Sequence, residues 1–399
     1  MTGTESTSGN LPVKPLFSPE FSLLLLCAHA ELNASQQQSL SALLEQNPDW
    51  DLVWRLSRHH GMLPRLHLHL AGNLRVPEKI RAELAAAARR TAVQTGYLAV
   101  ELSKIHAVLQ AKGIRALAYK GPALGALLYG ERALREFSDI DLLIRPESSD
   151  IEAACAALQS AGFAPEYEFR SHLRRAYLRT GMVYEFWSAN RNYHLELHWK
   201  PREHPSFASG FDPEWLWNET QHVTLGGREI ETLSNVNALL LLAMHAAKHG
   251  WEQLSWLIDM AELGSRFSAK DWETLEQRAL AAKSTRLLTV SLLLCNQLLE
   301  TKLPVQTGRK ATALAANLAD HLANGRSCSG AWLQLRLREG VPAKIRLLRY
   351  LLITPGKLDY LQFPLPRAVV FLYPAVRAYR LCRDHGGAHR KLPQHSANL

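Results

Sequence analysis

Hydrophobic positions recur at helical spacing from Phe17 to about Leu109, as in Leu40, Leu43, Leu44 and in Leu52, Val53, Leu56. This pattern predicts a helical N-terminal region, 17–113, whose long last helix closes at Lys112-Gly113. The period changes at Ile114. Ile114–Tyr119 is short and mostly apolar, and Pro122 opens a helix that Gly130 ends. Asp139–Arg145 alternates as a strand, and Ser148–Ala161 is helical up to Gly162. Met182–Ser188 and Tyr193–Trp199 alternate around Ala189–Asn192, which predicts a β-hairpin. Residues 114–230 therefore read as a small α/β core. From Ser234, an N-cap for a helix Val236–Glu262, the helical period returns and defines a C-terminal helical region, 231–385. Residues 1–16 read as a disordered N-terminus and 386–399 as a basic tail. The expected class is α+β: a small mixed sheet with helices, flanked by all-helical regions.

Length and composition narrow the class. The 399 residues are 47% hydrophobic and 21% charged, which excludes a wholly disordered or fibrous chain. Five scattered cysteines without a Cys-x-x-Cys pair argue against a disulfide framework or a thiolate zinc site. No apolar run approaches the roughly 18–20 residues of a membrane helix. The polar start Met1–Asn10 lacks a signal peptide's basic and apolar regions, so a cytoplasmic location is expected. The net charge of +9 is concentrated: residues 331–399 hold 12 Lys and Arg against 3 Asp and Glu. A solvated basic face is the plain reading of that excess; contact with a polyanion or an anionic membrane surface is the sharper one.

The strongest chemical signal is Ser138-Asp139-Ile140-Asp141-Leu142-Leu143. Residues i and i+2 of a strand face one side, so Asp139 and Asp141 point together. Two carboxylates held that close repel unless a cation intervenes, and Mg²⁺ commonly uses one or two carboxylates plus substrate phosphates. Two solvated acids on an edge strand are the alternative, disfavoured by the apolar neighbours Ile140, Leu142, Leu143 and Ile144. Upstream, Tyr119-Lys120-Gly121-Pro122 joins a strand to a helix start, where glycine admits a ligand to the backbone and the helix N-terminus favours phosphate. In the hairpin, Glu196 and His198 share a face. Glu196 is the candidate third carboxylate, as a metal ligand or proton acceptor, with Glu185 on the partner strand as its rival. His245 and His249 stand four apart on a helix, but Ala246 occupies the place where a zincin has glutamate. They and Lys248 are candidates to contact phosphate or acceptor, with a solvated helix face as the alternative.

Together these residues resemble the uncharacterised bacterial nucleotidyltransferase family, a branch of the DNA polymerase beta-type superfamily. The resemblance rests on Lys120-Gly121, Tyr129-Gly130, Arg135 before Asp139-Ile-Asp-Leu-Leu143, Glu196-Leu-His-Trp199, and the later His245, His249, Trp251, Leu254, Trp256, Leu257 and Asp259. It implies metal binding by Asp139, Asp141 and Glu196, a phosphate turn at Gly121, and triphosphate contacts from Lys120 and Arg135. The implied cofactor is Mg²⁺ or Mn²⁺, with an NTP as substrate and an acceptor the sequence does not name. The superfamily's turn usually reads Gly-Ser. Here Pro122 removes one hydroxyl and one N–H, which motivates a second expectation: a catalytically silent nucleotide-binding or scaffold protein. A nucleic-acid-end modifier is a third, not favoured because no recognised nucleic-acid motif is present.

Overall fold

The computed structural model describes residues 17–201 and 211–386. The expected disordered N-terminus, 1–16, and the expected basic tail beyond its first residue lie outside the described residues. Five strands form the central sheet: β1 (Ala116–Ala118), β2 (Asp139–Ile144), β3 (Ala164–Pro165), β4 (Val183–Trp187) and β5 (His194–His198). Their order is β1-β2-β5-β4-β3. β2 and β5 run parallel, and every other neighbouring pair is antiparallel. The fold is thus α+β with a mixed sheet flanked by helices, as the sequence pattern predicts.

Alternation assigns the two faces of the sheet different work. Ile140, Leu142, Ile144, Leu195, Leu197, Tyr184 and Phe186 join a core with Leu98, Leu102, Ile105 and Leu109 of the long helix Glu78–Gln110 and with Ile151, Ala154 and Leu158 of helix Ser148–Ser160. On the opposite face Leu117 and Leu143 enter a larger helical core. That core takes residues from both helical regions, among them Phe21, Leu56 and Leu66 before the sheet and Leu239, Leu257, Leu294 and Leu318 after it. Buried His60 ties them together. Its Nδ1 accepts the Leu254 N–H (3.4 Å), which leaves Nε2–H to donate to the Leu322 carbonyl (3.1 Å). Burial holds this imidazole neutral, its pKa lowered to about 4.

Two features differ from the sequence reading. The helix expected over Val236–Glu262 is two helices, Asn235–Lys248 and Leu254–Gly264. Its predicted N-cap holds: Ser234 Oγ accepts the Asn237 N–H (3.3 Å). The chain breaks where Gly250 and Trp251 adopt φ of +67° and +51°. The turn buries the Trp251 ring completely and lets its indole N–H donate to Ser291 Oγ (2.9 Å). Tertiary packing here overrides a helical pattern that continues through the turn. The second feature is an unanticipated hairpin, β6 (Thr220–Leu225) and β7 (Arg228–Leu233). Its two-residue turn, Gly226-Gly227, has φ of +54° and +76°, the mirror-type geometry that matches strand twist. It braces β1, since Thr232 donates its hydroxyl to the Ala118 carbonyl and Glu231 pairs with Arg115.

Candidate functional site

Ile140 and Leu142 are fully buried beneath the sheet. A one-residue slip of β2 would expose both, so the side chains between them are held on the other face. The register then aligns the chemistry. Asp141 stands opposite Glu196 on β5, and Glu196 stands opposite Glu185 on β4. Three carboxylates thus lie side by side across three strands, with Asp139 two residues before Asp141 on the same face.

Charge accumulates here and is partly compensated. Burial first, then the charges of Asp141 and Glu196, push the Asp139 carboxyl up to about 6, while Lys120 and Arg135 pull it down. His198 is completely buried, and its Nε2 lies 3.1 Å from both Asp141 Oδ1 and Glu196 Oε2. Burial alone would lower its pKa; the hydrogen bonds to the two carboxylates reverse this and raise it. The Tyr119 ring meets the imidazole edge-on at 5.4 Å. One carboxylate oxygen each from Asp141 and Glu196 and a ring nitrogen of His198 all lie within 4.8 Å of one another, close enough to hold one cation. His198, read in the sequence only as sharing a face with Glu196, is therefore part of the cluster. Its signal was the alternation Glu-x-His.

Glu185 has a different partner. Lys357, from the C-terminal helices, forms an ion pair with it, lies 3.9 Å from Glu166, and sits 4.7 Å above the Tyr167 ring.

The glycine turn presses against the start of β2. Gly121 has φ +50°, and a Cβ there would sit 2.8 Å from the Asp139 carbonyl oxygen. Lys120 precedes it in extended conformation, and Pro122 occupies the first turn of helix Gly121–Tyr129. The next helix but several in the chain, Leu254–Gly264, clamps this turn in place. Its buried Asp259 accepts from Tyr129 Oη–H (2.6 Å) and from Arg135 Nε–H (2.8 Å), and Arg135 Nη1 reaches the Gly121 carbonyl (3.5 Å). Arg266 donates to the carbonyls of Leu127 and Leu128 at the other end of the short helix. Arg135 is thus anchored beside the turn, its charge near Asp139. Asp259→Asn removes the countercharge of a buried guanidinium and should lower stability by about 2 kcal/mol. Thermal melting checks this against Asp320→Asn, an exposed acid expected to change little.

Lys248 ends helix Asn235–Lys248. His245 and His249, 4.8 Å apart, pack on Trp256 at 4.9 and 5.8 Å, one turn before Asp259. This group therefore sits with the helix that holds Arg135 rather than on the sheet.

A family model described as an uncharacterised nucleotidyltransferase matches residues 46–300, a span that holds the sheet, the glycine turn and the Asp259 helix. No curated protein and no solved structure matches the chain significantly.

Proposed function

The chain belongs to the uncharacterised nucleotidyltransferase family, and from that premise we propose that it moves a nucleoside monophosphate from an NTP to an acceptor hydroxyl or phosphate. The acceptor oxygen bonds to the α-phosphorus, the bond to the β-phosphate oxygen breaks, and pyrophosphate leaves. The observation that carries this reading is the register of Asp141 against Glu196, with Asp139 on the same face against the Gly121 turn.

The donor set fits a hard divalent ion, Mg²⁺ or Mn²⁺. Its oxygens are carboxylates, and the Asp139 carboxyl is raised by burial first and then by the charges of Asp141 and Glu196, a repulsion that a cation would relieve. Asp141 and Glu196, whose oxygens lie together beside the His198 ring nitrogen, would hold it, with Asp139 as the further carboxylate on the same face. When bound, it neutralises phosphate charge and the developing charge on pyrophosphate. The protein's own groups do the rest. Lys120 and the anchored Arg135 offer positive charge for the triphosphate beside the turn. The glycine at 121 lets the turn press on the start of β2, which sets the turn's backbone beside the carboxylates where phosphate would lie. Glu196 is the carboxylate suited to take the acceptor's proton, His198 fixes the orientation of Glu196 and Asp141 through one nitrogen, and Lys248 is a candidate contact for acceptor or phosphate. Rate gain on this reading comes mainly from positioning and charge compensation.

The test is incubation with each α-labelled NTP, Mg²⁺ or Mn²⁺ and a cell extract, followed by identification of the labelled product. Transfer of label with pyrophosphate release is expected. Pro122 motivates the second reading, a silent nucleotide binder. NTP binding by calorimetry without pyrophosphate release, across a broad panel of added acceptors, would favour it.

A further inference from the structure

Helix Val341–Ile353 has two apolar faces but only one is covered. Ala343 and Leu347 point inward and are buried. Val341, Ile345, Leu348 and Leu352 recur at spacings of four, three and four, which makes a single stripe along the helix. They are 41–66% exposed. A short 3₁₀ segment nearby in the chain, Arg367–Leu372, has no buried residue and displays Phe371 at 72% exposure. Trp332 is also exposed, with the Arg336 guanidinium 4.3 Å over its ring. This is a regional property. Of the large hydrophobic residues exposed among the described residues, five lie before residue 331 and eleven between 332 and 379.

The charges around these apolar groups are sorted by sign. Arg336, Lys344, Arg346, Arg349, Arg367 and Arg383 are exposed. The acids of the same region are drawn inward or paired. Asp359 is fully buried against Arg380 and Arg377, Glu339 accepts the Arg286 backbone N–H, and Asp384 pairs with Arg380 and Arg383. Among the described residues no helix is long and apolar enough to cross a membrane.

We propose that this C-terminal face docks peripherally on an anionic lipid bilayer, with the stripe of helix 341–353 entering the headgroup–acyl boundary and the flanking bases meeting lipid phosphates. Exposed apolar groups interleaved with bases match an interface that is apolar beneath and negative above. A second copy of this chain fits less well, because a two-fold contact would set bases against bases. Nucleic acid would meet the bases but leave the apolar stripe unmatched.

The experiment is co-sedimentation of the full chain with vesicles of POPC alone and of POPC with 30% POPG, at low and at 0.5 M salt, together with light scattering of the free protein. The wild type is expected to sediment with the POPG vesicles, to stay in solution with POPC, and to lose most binding at high salt. Ile345→Glu/Leu348→Glu and, separately, Arg346→Glu/Arg349→Glu should each weaken binding by roughly tenfold or more without changing the melting temperature by more than a few degrees. The arginine pair is exposed, so it reads the surface even if the apolar pair disturbs the fold. Binding to POPC and POPG alike, no binding to either, equal binding by wild type and both variants, or a free-protein dimer that Ile345→Glu/Leu348→Glu converts to monomer would overturn the proposal.

Discussion

Asp141→Asn is expected to lower nucleotidyl transfer by roughly 10³-fold or more while leaving the fold intact. Asp141 is buried, faces Glu196 across the parallel β2–β5 pair and accepts from His198, so no solvent-exposed group can take over its position. Asparagine keeps the shape and removes the charge. Asp139→Asn should abolish turnover to a similar degree yet raise the stability of the metal-free protein. Its folded-state carboxyl is raised to about 6 from an ordinary value near 3.8. A raised carboxyl takes up protons more readily folded than unfolded, so the metal-free protein loses stability as pH rises from about 4 through about 6. Removing that carboxylate should therefore stabilise the chelator-treated protein at pH 7.5 by about 1–2 kcal/mol, a gain that vanishes below pH 4. Melting curves in chelator at pH 3.5 and 7.5, set beside label-transfer rates, read both effects. A variant that loses activity and stability together would indicate that Asp139 serves the fold.

Gly121→Ala is the second large effect. Two costs coincide there. The left-handed φ of +50° costs an L-residue about 1–2 kcal/mol, and the new Cβ would stand 2.8 Å from the Asp139 carbonyl oxygen. A backbone atom of the acidic strand cannot rotate aside as a flexible side chain can. Relief requires the turn to lift away from β2, which separates the glycine turn from the carboxylates. Turnover should fall by about 100-fold or more, with far-UV circular dichroism unchanged. Gly113→Ala is the matched control. Its φ is +71°, but nothing lies within 4 Å of the added atom, so it should cost about 1 kcal/mol and spare activity. Equal losses in the two variants would remove the special status of the Gly121 turn.

The strands that carry the acids were legible because burial below the sheet enforces strict alternation, as in Asp139-Ile-Asp-Leu and Leu195-Glu-Leu-His. Alternation also brought Asp139 and Asp141 to one face before any register was known. What it does not contain is the partner strand. That Asp141 meets His198, 57 residues away, follows only from the pairing of β2 with β5. Sequence favoured Glu196 over its rival Glu185 without showing what either meets, and the ion pair that occupies Glu185 comes from Lys357, 172 residues further on. The anchoring of Arg135 by Asp259 spans 124 residues. The β6–β7 hairpin was obscured by polar strands with few buried side chains, Val223, Leu225 and Ile230 among them, although Gly226-Gly227 was a visible turn signal. The break at Gly250-Trp251 was hidden for the opposite reason: an apolar tryptophan fits a helical pattern as readily as it fills a core.

Mn²⁺ binding followed by electron paramagnetic resonance tests whether the acidic row on one face of the sheet holds a divalent cation, without knowledge of the acceptor. Titrating Mn²⁺ into the wild type and into Asp141→Asn, Glu196→Gln and Glu185→Gln, each confirmed folded, separates the acids by partner. Saturable Mn²⁺ uptake is expected in the wild type and in Glu185→Gln, with its loss in Asp141→Asn and Glu196→Gln. Uptake of the same strength in all four proteins would place the cation elsewhere than on the acidic row.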